Sequence, residues 1–336
     1  MSNHATDRIA APARELSTTF AREIASDASV EGIRFVFNQL AGLLNRKLPP
    51  VGAFHEAIEI PAPGRTVTVD VMVPAGEGPF PVLVYFHGGA WVAGNPASHR
   101  KLTHRLAEGG AVVVSADYRL APENPFPAAF DDCIVAVEWA AEHAHQFGGD
   151  PLRIAVGGDS AGGNLAAAVA IELARRGRGP KLGAAVLIYG VFDFAEVGGP
   201  MFSRTLHEAY LGRHAPRELL KDPRVSPIHG ADRLPPSLII VGGQDPLIDD
   251  ARALRARLEA AGIRHEMHVA PGMPHGFVQM EFFGDARRSI ERIQAFLARE
   301  LVVSKPMVAS RFWLRLQTTF RGAWRATKRR LSRPAG

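Results

Sequence analysis

The chain has 336 residues, of which 46% are hydrophobic and 22% charged, a balance that excludes wholesale disorder and allows one large α/β domain or two ordinary ones. Its one cysteine, Cys133, excludes an internal disulfide or a paired-cysteine metal site. The net charge of +5 is local: from Leu301 onward there are nine basic residues and no acidic one, so the rest carries 30 of the 39 basic residues against 34 acidic ones, a net −4. That mildly acidic body argues against a nucleic-acid partner. The opening residues lack the apolar core of a secretory leader, and no stretch approaches 18 uncharged apolar residues. A cytoplasmic protein is expected, peripheral at a membrane surface only if its basic end binds there.

In chain order, residues 13–48 read as helical, with Phe20, Ile24, Ile33, Phe37, Leu40 and Leu44 as apolar markers and Pro49-Pro50 as the stop. Two strands follow at 56–60 and 66–73, split by a PAPG turn and expected to be antiparallel. Apolar strands at 81–86, 111–115, 153–157, 184–189, 237–241 and 266–270 then alternate with helices near 99–109, 127–146, 161–176, 247–261 and 285–300. Continuous apolar strands alternating with helices predict an α/β fold, a mostly parallel eight-stranded sheet covered on both faces. Some 47 residues separate Tyr189 from Ser237, more than a crossover needs. They read as an inserted subdomain over the C-terminal edge of the sheet, with a short helix from Ser203 to Leu211. The expected segments are a helical cap at 1–48, a core at 49–192, a cap insertion at 193–232, more core at 233–302 and a tail at 303–336.

Gly158-Asp159-Ser160-Ala161-Gly162 is a G-x-S-x-G between a buried strand and an alanine-rich helix. That context predicts a nucleophile elbow, a tight turn that lifts the Ser160 hydroxyl above the sheet. The spacings of the phosphate-binding glycine loops are absent. A serine needs a base, and the base an orienting acid, in the chain order Ser, Asp or Glu, His. Among thirteen histidines, His275 in PHGF follows the last strand, whereas His265 and His268 flank or occupy it. Asp245 ends the penultimate strand and is the first candidate acid; Asp193 is the runner-up, and Asp249 and Asp250 read as helix-start residues. Oxyanion donors are expected from the Ala161 amide and from two of Gly88, Gly89 and Ala90 in the loop after the strand PVLVYF, with the choice of two left open. Trp91, Phe192, Phe194 and Phe277 suit a pocket wall and a core equally well. No cofactor or metal is expected.

The blocks HGGAW, DYRLAPENPFPAAFDD, GDSAGGN, GGQDPLIDD and PHGF occur in one order between about residues 50 and 300. Together they resemble the hormone-sensitive lipase family of α/β-hydrolases, the GDSAG branch of bacterial esterases. The resemblance implies a serine carboxylesterase acting on short to medium acyl esters, with Ser160, Asp245 and His275 as nucleophile, acid and base. It also implies a lid from the N-terminal helix and the insertion, YRLAPE as scaffolding, and a homodimer. The usual HGGG becomes HGGA here, which keeps the Ala90 amide and restricts the loop to alanine-compatible angles. An amidase or lactonase would carry the same machinery. A non-catalytic binder, like the gibberellin receptors that resemble this family and lack its histidine, is disfavoured because His275 is present.

The tail lies outside the resemblance. On a helical wheel Val308, Phe312, Leu316, Phe320, Ala323, Trp324 and Leu331 share one arc, and Arg311, Arg315, Arg321, Arg325, Lys328 and Arg329 lie opposite. Leu314 and Arg330 are off-face. This pattern across residues 305–333 fits a membrane-interface helix; a helix docked on the body and a disordered basic tail are the alternatives.

Overall fold

The computed structural model describes residues 29–195 and 204–302. Contacts divide the chain at Leu301, so the described residues belong to the first unit, Met1–Leu301, apart from Val302. The first part of the N-terminal helical stretch, the segment 196–203 of the insertion and the basic tail lie outside the described residues.

All eight expected strands are present in one sheet. They are β1 (Ala53–Ala62), β2 (Arg65–Val73), β3 (Phe80–Phe86), β4 (Val112–Asp117), β5 (Gly149–Asp159), β6 (Leu182–Ile188), β7 (Ser237–Gly242) and β8 (His265–Ala270). The spatial order is β1-β2-β4-β3-β5-β6-β7-β8. β2 runs antiparallel to both β1 and β4, and every later pairing is parallel. The central strands read as unbroken apolar runs because both faces are covered: Val82 to Phe86, Ile154 to Val156 and Leu238 to Val241 are fully buried.

Among the described residues the helices are α1 (Val30–Leu44), which precedes the sheet, and α2 (Arg100–Glu108), α3 (Ala128–His143), α4 (Ala161–Arg176), α5 (Arg204–Leu211), α6 (Ile248–Ala260) and α7 (Gly284–Glu300). α4 is buried along its length from Ala161 to Leu173, and its alanines let it lie close to β5 and β6. α1 starts on Ser29, whose side chain accepts the Gly32 amide at 3.2 Å. It buries Val30, Ile33, Phe37, Leu40 and Leu44, one stripe at helical spacing, and leaves Phe35 exposed. Each such side chain contributes roughly 1.5–3 kcal/mol of transfer free energy. The described part of the insertion holds α5 and two 3-10 turns, Arg217–Lys221 and Pro227–Arg233. Among the described residues no helix is long and apolar enough to cross a membrane.

Register decides where chemistry can gather. Phe86 of β3 sits opposite Gly158 of β5, Asp159 opposite Ile188 of β6, Ile188 opposite Ile240 of β7, and Gly242 opposite Ala270 of β8. The segments leaving β3, β5, β6, β7 and β8 therefore emerge along one edge of the sheet. Those segments carry Gly88, Ser160, Asp193, Asp245 and His275.

Candidate active site

Ser160 stands between the last residue of β5 and the first of α4, at φ 54° and ψ −120°. A side chain at positive φ is strained and persists only when its surroundings fix it. Here the turn is closed by the Ser160 amide on the Ile188 carbonyl at 2.9 Å and by the Asn164 amide on the Ser160 carbonyl at 3.1 Å. Gly158 and Gly162 are demanded by space. A Cβ on Gly158 would strike the Gly162 and Phe86 carbonyls, and one on Gly162 would strike the carbonyls of Phe86 and His87.

The expected base and acid meet this serine. His275 Nε2 lies 2.9 Å from Ser160 Oγ, and its Nδ1 lies 2.9 Å and 3.1 Å from the two Asp245 carboxylate oxygens. Asp245 is buried and also accepts the Leu247 amide at 2.9 Å, which fixes its rotamer. Burial alone would lower the pKa of His275. The Asp245 charge and hydrogen bond, with a contribution from Asp159, outweigh it and raise that pKa above the ordinary imidazole value. The Tyr189 ring, 4.7 Å away and tilted, flanks the imidazole. Asp193, the runner-up acid, instead turns back to accept the Ala195 amide at 3.1 Å. His265 and His268 stay on β8, His265 with Nδ1 2.8 Å from the Ile263 carbonyl.

The loop after β3 has two features that the sequence leaves open. Gly88 does not point its amide outward: it donates to Asp159 Oδ1 at 3.0 Å. Ala90 does not avoid the left-handed region: it has φ 53°, and Trp91 follows at φ 60°. Two left-handed non-glycine residues in a row cost roughly 1–2 kcal/mol each. The loop is held by a turn, with Val92 and Ala93 amides on the Gly89 carbonyl at 3.1 and 2.9 Å, and by the Ala121 amide on the Trp91 carbonyl at 2.9 Å. Gly89 has φ 130°, and a Cβ there would strike the Ala93 carbonyl. His87, fully buried and stacked on Tyr118 with ring centres 4.1 Å apart, has its pKa driven down to about 3 by burial and then by the nearby His99. It therefore stays a neutral spacer.

Several organising residues are given no role by the sequence patterns. Asp159, next to the nucleophile, is buried; its Oδ1 also accepts the Tyr85 hydroxyl at 2.7 Å, and Oδ2 lies 3.2 Å from both His99 Nε2 and Gln279 Nε2. Burial opposes its ionisation, but the charge and hydrogen bond of His99, with the Tyr85 hydroxyl, pull its pKa below the usual carboxylate range. Burial and the Asp159 charge raise the pKa of Tyr85, so that hydroxyl remains a donor. Asn164 ties the insertion to the core, donating to the Val191 carbonyl at 2.7 Å and the Val225 carbonyl at 2.8 Å. Asp250 begins α6 as expected, yet its carboxylate does more than face the helix dipole: it accepts the Phe192 and Asp193 amides at 2.6 and 3.0 Å. Burial pushes its pKa up to about 7 against the pull of those amides. The signal available in the sequence was adjacency for Asp159 and Asn164, which sit inside the GDSAGGN block.

A serine elbow, an imidazole bridging it to a buried carboxylate and a glycine loop on the neighbouring strand now stand on one sheet edge. A family profile described as the α/β hydrolase fold matches residues 83–279, more than half the chain. This chain belongs to the α/β-hydrolase family. Within it, the hydrolase falls in the hormone-sensitive lipase branch indicated by its five sequence blocks. It is 38% identical to carboxylesterase NlhH of Mycobacterium tuberculosis over 258 residues, 71% of this chain and 81% of that one. It is 36% identical to an ethyl acetate hydrolase of Pseudomonas putida, over 65% of this chain and 73% of that one. The solved structure of a hyperthermophilic esterase from the archaeon Pyrobaculum calidifontis superposes with a TM-score of 0.76 at 32% identity, covering 85% of this hydrolase and 96% of that chain.

The four aromatic candidates for a pocket wall are core residues of the hydrolase. Trp91, Phe192, Phe194 and Phe277 are all buried. Trp91 stacks on Tyr210 of α5 with ring centres 4.3 Å apart, so the loop after β3 and the insertion pack directly on each other.

Proposed function

We propose that this hydrolase is a serine carboxylesterase working through an acyl-enzyme on Ser160. The observation that carries the reading is His275 lying within hydrogen-bond reach of both Ser160 Oγ and the Asp245 carboxylate. In the first half-reaction His275 Nε2 takes the hydroxyl proton as Oγ bonds to the ester carbonyl carbon. Asp245 keeps the other ring proton on Nδ1 and stabilises the imidazolium. The negative oxygen is held by backbone amides of Gly89 and Ala90 and by that of Ala161 at the start of α4, the Gly88 amide being taken by Asp159. His275 then returns its proton to the leaving alcohol. Water, deprotonated by the same imidazole, releases the carboxylic acid and regenerates Ser160.

The relatives' names support ester hydrolysis, and the ethyl acetate hydrolase among them favours short acyl groups. The test is a panel of p-nitrophenyl esters of rising chain length, with an anilide and a lactone of matched acyl size. Highest kcat/KM on esters of short to medium chain supports the reading. Preference for the anilide or lactone would replace it with an amidase or lactonase.

Residues 1–48 and 193–232 act in this reading as a cap. α1 already buries an apolar stripe against the body, so deleting residues 1–40 is expected to alter chain-length preference together with stability. An unchanged profile and unchanged solubility would remove the cap role. The basic, amphipathic pattern of residues 305–333 supports peripheral binding to an anionic membrane, at about 1 kcal/mol for each Lys or Arg near the surface. Salt-sensitive co-sedimentation with anionic vesicles, lost on ending the chain at Leu301, is the expected result. Equal recovery of both proteins in the supernatant at low salt would contradict it.

A further inference from the structure

We infer that Arg34, on the N-terminal helix α1, is a positioning residue for the loop that holds the oxyanion. The inference rests on the reading of the Gly89–Ala90 loop given above and adds a residue from outside every motif. Arg34 Nε donates to the Val92 carbonyl at 2.7 Å, and Nη2 donates to the Ala121 carbonyl at 3.0 Å. Val92 lies in the turn whose amides, its own and that of Ala93, close on the Gly89 carbonyl, and the Ala121 amide is itself bonded to the Trp91 carbonyl. One planar guanidinium therefore bridges the two strands of backbone that fix Ala90 and Trp91 at their left-handed φ values.

The guanidinium is in turn aimed by Glu123, which takes both Nη atoms at 2.7 and 2.6 Å. This pair lies 29% and 56% exposed, so its own contribution to stability is small. What it supplies is direction: a fork held at one end by a carboxylate presents its remaining donors at a set angle. The Arg34 hydrogen bond, ahead of any other cause, pulls the Glu123 pKa down to about 2, so the carboxylate stays charged across the working pH range.

The rest of α1 supports the same geometry. At its far end Asn45 donates to the Ser98 carbonyl at 2.5 Å and accepts the Lys101 amide at 2.8 Å, bracketing His99, which faces Asp159. Leu40 and Leu44 pack on Met280, just beyond His275. α1 thus braces the loop after β3 and the segment after His275 together. A strained loop needs such external supports, because left alone it relaxes toward ordinary backbone angles. When Arg34 is removed, the amides of Gly89 and Ala90 shift from the position of the developing negative oxygen. That cost falls on the transition state and barely on substrate binding.

The experiment compares the full-length parent with Arg34→Ala, Arg34→Lys and Glu123→Gln. Separate samples of each are tested for labelling at Ser160 by a fluorophosphonate, followed through thermal unfolding, and assayed unlabelled on p-nitrophenyl acetate and p-nitrophenyl octanoate with and without millimolar guanidinium. Arg34→Ala is expected to lose kcat about ten- to a hundredfold on both esters, with KM changed by no more than about twofold. Arg34→Lys should recover little, since an ammonium cannot bridge two carbonyls in a plane. Added guanidinium should restore part of the Arg34→Ala rate and leave the parent unaffected. Unchanged kcat in Arg34→Ala, or a loss confined to KM and to the octanoate, overturns the inference in favour of a cap that only contacts substrate. Should Arg34→Ala fail to fold, Glu123→Gln decides: a several-fold lower kcat at constant KM supports the inference, and unchanged kcat overturns it. A parent that is not labelled at Ser160 overturns the serine reading and this inference with it. A labelled parent with an unaffected Arg34→Ala overturns this inference alone.

Discussion

Asp159 Oδ1 and the Gly88 amide are 3.0 Å apart, so the residue preceding the nucleophile fixes the start of the loop that faces it. The same carboxylate meets Gln279, four residues beyond His275. Asp159→Asn should therefore loosen both sides of the site at once. An amide oxygen can replace only one of the two carboxylate oxygens, and a buried unpaired donor costs about 1–3 kcal/mol. A lower melting temperature and a kcat reduced at least about tenfold, by analogy with misplaced catalytic groups, are expected. Unfolding and ester kinetics on the purified variant check both; wild-type values in either would show that the network is dispensable.

Asp245→Asn should cost far more activity than Asp193→Asn. Asp245 holds His275 Nδ1 at 2.9 Å, whereas Asp193 is turned to the Ala195 amide. Loss of an orienting aspartate in a serine triad lowers kcat by about 10⁴ through the wrong imidazole tautomer. The two variants assayed side by side settle the assignment. A severe loss in Asp193→Asn alone would transfer the role.

Only neutral imidazole accepts the serine proton. Since Asp245 and Asp159 together outweigh burial and raise the His275 pKa, the acid limb of kcat/KM should have its midpoint above 6.5 and fall as pH drops. Asp159→Asn removes one of the charges that favour the imidazolium. Its limb should accordingly move to lower pH. A profile flat from pH 5 to 9, or a limb displaced upward in the variant, would contradict a histidine base shaped by these carboxylates.

The sheet was legible because its strands are buried on both faces. Val82 to Phe86 and Leu238 to Val241 could be read as strands from their apolar runs alone. Ser160 and His275 were legible because each sits at the C-terminal end of such a run, with glycines where space is short. Which amides of the loop after β3 face the site is not legible in the sequence, because the direction of the Gly88 amide depends on a carboxylate 71 residues away in the chain. Asp250 has the look of any acid in a first helical turn, and only the fold brings the Phe192 and Asp193 amides to it. Arg34 is one arginine among many, and its partners Val92, Ala121 and Glu123 lie 58, 87 and 89 residues away. Tertiary pairing of polar groups leaves no periodic trace in sequence.

Asp250→Ala should destabilise the protein rather than disable its chemistry directly. It strips the acceptors from the Phe192 and Asp193 amides, at about 1–3 kcal/mol for each group left buried and unpaired. Thermal unfolding at neutral pH is the measurement. An unchanged melting temperature would mean that other acceptors or solvent reach those amides.

The central claim is that Ser160 is the nucleophile, and its most direct measurement is ester turnover by Ser160→Ala under burst conditions. Alanine keeps the fold and removes the oxygen that His275 faces at 2.9 Å. Turnover should fall to the small remainder, about 10³–10⁴ over water, that binding and oxyanion stabilisation leave in triad knockouts, with no burst of alcohol release. A variant that retained a tenth of the parent kcat, or still showed a stoichiometric burst, would contradict the account.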